Sequence, residues 1–154
     1  MKAVVQRVID ASVSVDGIIK GKIDGGLLVY IGVAHNDSEI DADWLAEKVA
    51  YLRIFKDEND KMNLSLKDII NETKSNFGVL AVSQFTLLGD AHKGRRPSWN
   101  EAAPPDEARQ LYEYFIESVK KHNIKCESGE FQARMKVTYT NDGPVTIILD
   151  THRR

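Results

Sequence analysis

A single cysteine, Cys126, stands in the 154 residues of this chain. An intrachain disulfide framework is therefore excluded, and so is a zinc site built on paired cysteines. Cys126 itself reads as a small, half-buried residue, the usual habit of a free cysteine. Long apolar runs are missing too. Met1 to Arg7 holds no hydrophobic leader segment, and no stretch approaches membrane-spanning length. A soluble, cytoplasmic protein is expected, with no membrane partner. Basic charge is not in excess, because 21 Lys plus Arg face 23 Asp plus Glu for a net charge of −2. That argues against wrapping long nucleic acid, so no DNA partner is expected, but it leaves room for a local grip on one nucleic-acid end. H-E-x-x-H, the Walker A loop, G-x-G-x-x-G and G-x-S-x-G are all absent. The four histidines, His35, His92, His122 and His152, are scattered. No metal site and no cofactor are expected. The chain shows no repeat, low-complexity tract or linker.

What is present has the size and composition of one globular domain, residues 1–154, with 42% hydrophobic and 29% charged residues. At this length roughly two thirds of the unfolded chain's surface is buried on folding, enough for a substantial core. The first third reads as strands. Ala3 to Val8 alternates weakly, and Ser12 to Val15 runs into the hairpin signal Asp16-Gly17. Ile18 to Ile23 returns, Asp24-Gly25-Gly26 turns again, and Leu27 to Val33 is a continuous apolar strand of the kind buried on both faces. A helix follows, capped by Asp37 or Ser38, with Ile40, Trp44, Leu45, Val49 and Leu52 on one stripe. Phe55 to Ser65 is polar and loop-like. Gly78 to Val82 is a strand, and Asp90 to Pro105 is a long loop. Pro104-Pro105-Asp106 opens a second helix with Ala108, Leu111, Tyr112, Phe115, Ile116 and Val119 at helical spacing. Ile124 to Cys126, Met135 to Tyr139 and Val145 to Leu149 close the chain as strands. The order predicts an α/β (mixed α+β) domain, a mixed sheet with two main helices packed on it.

Two segments carry the candidate chemistry. Ser83-Gln84-Phe85-Thr86-Leu87 places two hydroxyls, an amide and an aromatic ring at a strand tip, a common position for a site. Ser83 and Thr86 are nucleophile candidates only if a base lies nearby, and none is written beside them. Their hydroxyls equally suit capping of backbone groups. The strand-end N–H groups of Gln84, Phe85 and Thr86 suit the stabilisation of an oxyanion. Phe85 is either a core aromatic or a pocket wall. In Asn141-Asp142-Gly143-Pro144-Val145-Thr146, a Gly-Pro bond precedes an apolar strand. Glycine has few limits on φ and X-Pro is the one common bond that can be cis, so two carbonyls can be presented in an unusual direction. Arg7, inside an apolar strand, needs a partner, and its fork suits a backbone carbonyl or a carboxylate. Lys93, Arg95 and Arg96 form a basic loop ten residues beyond Ser83, either solvated or on phosphate.

These segments resemble the D-aminoacyl-tRNA deacylase family. The resemblance runs end to end. It includes the opening Met1-Lys2-Ala3-Val4-Val5-Gln6-Arg7-Val8, the loop Gly94-Arg95-Arg96-Pro97-Ser98, and Gly129-Glu130-Phe131 followed by Met135. It implies a barrel-like core and hydrolysis of the ester between a D-amino acid and the terminal adenosine of tRNA. It also implies a homodimer with active sites at the interface. Gly143-Pro144 would be cis and inserted into the partner's pocket, with Arg7 holding it. Ser83, Gln84, Phe85 and Thr86 would line the catalytic pocket, and Phe131 and Met135 would flank the terminal adenine. Lys93, Arg95 and Arg96 are candidate tRNA phosphate contacts. Fixed carbonyls would exclude L-residues without reading side-chain identity, so glycyl-tRNA would be accepted. Between Phe131 and Met135 the run Gln132-Ala133-Arg134 is more basic than the resemblance leads one to expect, and Arg134 either touches phosphate or faces solvent. A binding module holding an RNA end, an esterase on free D-amino-acid esters, and a purely structural dimer are the competing readings.

Overall fold

The computed structural model describes residues 1–73 and 76–153. Its centre is a strongly bent mixed sheet. The elements are β1 (Lys2–Val15), β2 (Ile18–Ile23), β3 (Gly26–Gly32), α1 (Glu39–Tyr51), β4 (Phe55–Lys56), β5 (Met62–Leu64), α2 (Leu66–Thr73), β6 (Gly78–Ser83), α3 (Pro105–Lys121), β7 (Lys125–Ser128) and β8 (Lys136–Asp150). The strands run in the order β2-β1-β3-β6-β7, and β8 lies antiparallel along nearly the whole of β1. β3 pairs antiparallel with β1 but parallel with β6, and β6 pairs parallel with β7.

The sheet nearly closes on itself where β2 approaches β7. Gly21 makes that approach possible, because a Cβ there would stand 2.7 Å from the Ser128 carbonyl oxygen. Two apolar layers result. Val8, Ala11, Val13, Ile23, Leu28, Leu80 and Val82 fill the inside of the bend. Leu27, Val29, Ile31, Val79 and Ala81 face the helices and meet Leu45, Val49, Phe115 and Val119. β3 and β6 therefore bury both faces, which explains their unbroken apolar runs.

Several sequence expectations hold. The Asp16-Gly17 turn joins β1 to β2, with Asp16 at φ 49° and Gly17 at φ 81°. Ser38 caps α1: its N–H and hydroxyl reach Asp41 Oδ2 at 2.9 and 2.8 Å, one arm of a capping box. Proline opens α3. Other expectations are corrected. Ile40 is 70% exposed and lies off the α1 stripe, whose buried residues are Asp41, Ala42, Leu45, Ala46, Val49 and Ala50. Phe55 to Ser65 is not plain loop but holds the β4–β5 hairpin, turned at Asp60 with φ 63°. Beyond the two long helices there is a third, short one, α2, capped by Ser65 and Asp68. Its eight residues are too few for helical spacing to reveal it, and only Leu66 is fully buried. Met135 to Tyr139 and Val145 to Leu149 are not separate strands. They belong to β8 and its entry, and the Gly-Pro segment is a protrusion within that strand rather than a chain reversal.

Candidate active site

β3 and β6, parallel neighbours, end together, with Ile31 opposite Ser83. Beyond their carboxyl ends a cavity of about 540 Å³ opens. Ser83, Gln84 and Phe85 form one wall, Phe131, Gln132, Ala133 and Met135 another, and Ala103, Pro105 and Ala108 at the start of α3 a third. The chain leaves β6 by a 3-10 turn, Phe85–Leu88, that swings these groups over the opening. Five of the predicted pocket residues thus share one cavity, although they come from segments nearly fifty residues apart.

Thr86 lies one residue past the lining and is exposed. Gln84 Nε2 donates to its hydroxyl, and among the described residues no histidine or carboxylate hydrogen-bonds it. The expected set of oxyanion donors is corrected at Gln84, whose N–H is already committed to Ile31 O at 2.7 Å. Phe85 and Thr86 open the 3-10 turn, where the leading N–H groups have no partner within the helix. Among the described residues neither N–H has a backbone acceptor.

Tyr112 is a positioning residue that sequence reasoning placed only on the α3 stripe. Its hydroxyl donates to Ala81 O at 2.9 Å, tying α3 to β6 two residues before Ser83. Burial pushes the Tyr112 phenol well above its ordinary pKa. Phe131 leans on Tyr112, with ring centroids 5.9 Å apart, and carries the Arg109 guanidinium 4.9 Å above its face. No motif marked Arg109. Arg134 faces solvent.

Gly143 and Pro144 lie outside this cavity and are exposed on the surface of their own chain. In the β1–β8 ladder Gln6 pairs with Thr146 and Val8 with Asn141, so the four residues from Asp142 to Val145 stand opposite Arg7 alone. The excess loops outward as a tight protrusion. Arg7 is buried and fills the space beneath it. Nη1 donates to Ile54 O, and Nε stands 2.8 Å from Asp142 Oδ2 as an ion pair without hydrogen-bond alignment. Both partners foreseen for Arg7, a carbonyl and a carboxylate, are present. Asn141 Nδ2 donates to Arg7 O at 3.0 Å and Val145 O at 3.1 Å and closes the base of the protrusion. The Gly143-Pro144 peptide is cis, and Gly143 has φ 115°. A Cβ at Gly143 would stand 2.8 Å from Arg7 Nη2, so the position suits glycine on both counts.

The basic loop is anchored at both ends. Asp90 and Ser98 exchange backbone hydrogen bonds of 2.8 and 2.9 Å, and Ala102 bridges to Ala34. Lys93, Arg95 and Arg96 are exposed on it. Among the described residues no group of three His, Cys, Asp or Glu side chains is placed to hold a metal ion.

Comparison with known proteins agrees with this geometry. A family model described as D-Tyr-tRNA(Tyr) deacylase matches residues 4–150. D-aminoacyl-tRNA deacylases of Thermosipho africanus and Koribacter versatilis are 55% and 54% identical over 153 residues, covering 99% of this chain and 99% of each relative. A solved structure titled c-Myc DNA Unwinding Element Binding Protein superposes with a TM-score of 0.86 at 37% identity, covering 97% of this chain and 98% of that one. A probable eukaryotic D-amino acid tRNA deacylase, at 18% identity, shares the fold with a TM-score of 0.80. The class defined here is the hydrolases that cleave aminoacyl-tRNA esters. Within it, the chain belongs to the D-Tyr-tRNA(Tyr) deacylase family.

Proposed function

We propose that this chain hydrolyses the ester between a D-amino acid and the terminal adenosine of tRNA, in the cytoplasm, as a homodimer whose two active sites lie at the subunit interface. The observation that carries the reading is the separation between pocket and protrusion. Val137 lines the pocket, and Gly143 lies six residues further along β8. The four strand residues from Val137 to Asn141 carry the chain about 13 Å before the protrusion begins, and neither Gly143 nor Pro144 lines the pocket. A chain's own Gly143-Pro144 therefore does not roof its own pocket, whereas a second copy's can. In the dimer the partner's protrusion faces the α-carbon of the substrate with backbone carbonyls. An L-residue drives its side chain into them and a D-residue turns its side chain away, so selection works by exclusion. Arg7, Asp142 and Asn141 hold those carbonyls still.

The chemistry asks little of the protein, because aminoacyl esters are reactive. Water adds to the ester carbonyl carbon. The developing oxyanion takes the Phe85 and Thr86 N–H groups. The carbonyl–ribose oxygen bond then breaks, and the leaving 3′ oxygen receives a proton relayed by the neighbouring 2′-hydroxyl. Ser83 and Gln84 set the pocket wall, and Phe131 and Met135 hold the adenine. Thr86 acts by position rather than as a nucleophile, in keeping with the lack of a basic partner on its hydroxyl among the described residues. Lys93, Arg95 and Arg96 meet tRNA phosphates. The test compares a D-tyrosyl ester on tRNA with a simple alkyl ester of D-tyrosine. Rapid cleavage of the tRNA-linked ester alone is expected. Equal cleavage of both identifies a general esterase, and cleavage of neither identifies a binding module.

A further inference from the structure

Trp99 is a large ring left 39% exposed in a loop whose neighbours are small, polar or charged. It is not loosely held. Its carbonyl accepts from Ala102 N–H at 3.0 Å, and Ser98, just before it, is locked to Asp90. Its ring meets Phe85 edge-on, with centroids 5.7 Å apart and planes at 61°. Phe85 is itself 57% exposed and lines the pocket. A continuous aromatic surface thus runs from the pocket wall outward to Trp99. Water covers much of both rings, which is unfavourable for side chains of this size.

The same loop carries Lys93, Arg95 and Arg96, with no acidic residue from 91 to 100. Among the described residues no carboxylate lies within ion-pair distance of any of the three. An exposed aromatic platform beside uncompensated cations is the pair of elements that holds single-stranded nucleic acid: the ring stacks a base and the cations meet its phosphates. On the deacylase reading, the strand that enters the pocket is the unpaired 3′ end of tRNA, and the nucleotide before the terminal adenosine must lie just outside.

We propose that Trp99, braced by Phe85, stacks the unpaired base preceding the terminal adenosine, while Lys93, Arg95 and Arg96 meet the adjoining phosphates. The inference rests on the deacylase reading and adds a nucleotide subsite to it. It separates recognition of the strand from recognition of the amino acid, so Trp99 affects affinity for tRNA and not chirality.

The test measures kcat/KM for D-tyrosyl-tRNA and for the D-tyrosyl ester of adenosine alone, which has no preceding base or phosphate. Trp99→Ala is expected to lower the ratio of the two values about tenfold, through KM for the tRNA substrate, in line with the loss of one stacked base. Trp99→Phe, which keeps a π face, is expected to restore most of that ratio. An unchanged ratio in Trp99→Ala overturns the proposal, including the case where both substrates fall together because Trp99 only props Phe85. Wild-type protein that cleaves neither ester overturns the deacylase reading instead.

Discussion

Arg7 Nε stands 2.8 Å from Asp142 Oδ2, across a ladder in which one residue of β1 faces four of β8. The contact joins the second signature segment to the first strand of the chain. The remaining arm of the fork reaches Ile54 O, just past α1. One buried side chain thus ties an exposed protrusion to two places in the core. Lysine at this position keeps the charge but presents a single point donor that cannot serve both partners. Arg7→Lys is expected to lower stability by about 1–3 kcal/mol, the usual cost of leaving a buried acceptor unsatisfied. It should also narrow the preference for D- over L-aminoacyl-tRNA, because the carbonyls of Gly143-Pro144 lose their support. Urea denaturation and paired deacylation assays check both effects. Wild-type selectivity in a destabilised variant would separate Arg7 from the chirality filter.

Thr86 offers a sharper test of mechanism. Its hydroxyl accepts from Gln84 and has no histidine or carboxylate on it among the described residues. Thr86→Ala is expected to retain activity within about tenfold of wild type, since the backbone N–H donors remain. A loss of several orders of magnitude in single-turnover assays, with KM unchanged, would establish Thr86 as the nucleophile.

Glycyl-tRNA should be a substrate. Glycine has no side chain for the protrusion to reject, and exclusion by backbone carbonyls acts only on what projects toward them. Release of glycine from glycyl-tRNA is expected to lie closer to the D-tyrosyl rate than to the L-tyrosyl rate. Rejection of glycyl-tRNA as strong as that of L-tyrosyl-tRNA would show that selection depends on favourable contact with a D side chain.

Cys126 is predicted to be inert. It sits behind α3, and burial pushes its thiol from 9.0 up to about 12. Iodoacetamide should leave the native protein unlabelled at neutral pH and label it fully in urea. The same shift sets an alkaline limit on stability. The unfolded chain gives up this proton near the ordinary thiol value and the folded chain only near 12, so its contribution is complete below pH 9.0 and is lost as pH rises toward 12. Tyr30, raised from 10.0 to about 12 by burial and then by Tyr139, acts in the same direction over a slightly higher window. The urea midpoint should therefore hold below pH 9.0 and fall as pH rises from 9.0 toward about 12.

Much of this molecule was legible in its sequence wherever one local signal decided the outcome. Unbroken apolar runs marked β3 and β6, and Asp16-Gly17 and Pro105 marked a turn and a helix start. Ser83, Gln84, Phe85, Phe131 and Met135, brought forward by family resemblance, line one cavity, and Thr86 of the same block lies one residue beyond it. What stayed hidden depends on partners distant in the chain. The α2 helix is eight residues long, too short a run for helical spacing to mark it. The continuity of β8 through Gly-Pro follows from pairing with β1, which tolerates four residues opposite one. The use of the Gln84 N–H by Ile31, and the bracing of Phe131 by Tyr112 and Arg109, appear only once β3, β6 and α3 are brought together. A Trp in a basic loop was the one visible sign of Trp99.

The most direct test of the account is deacylation of D-tyrosyl-tRNA against L-tyrosyl-tRNA by the purified protein in the presence of a chelator. Rapid loss of the D-ester alone is expected, undiminished by the chelator. Equal loss of both esters would contradict the exclusion by Gly143-Pro144 on which the proposed function rests.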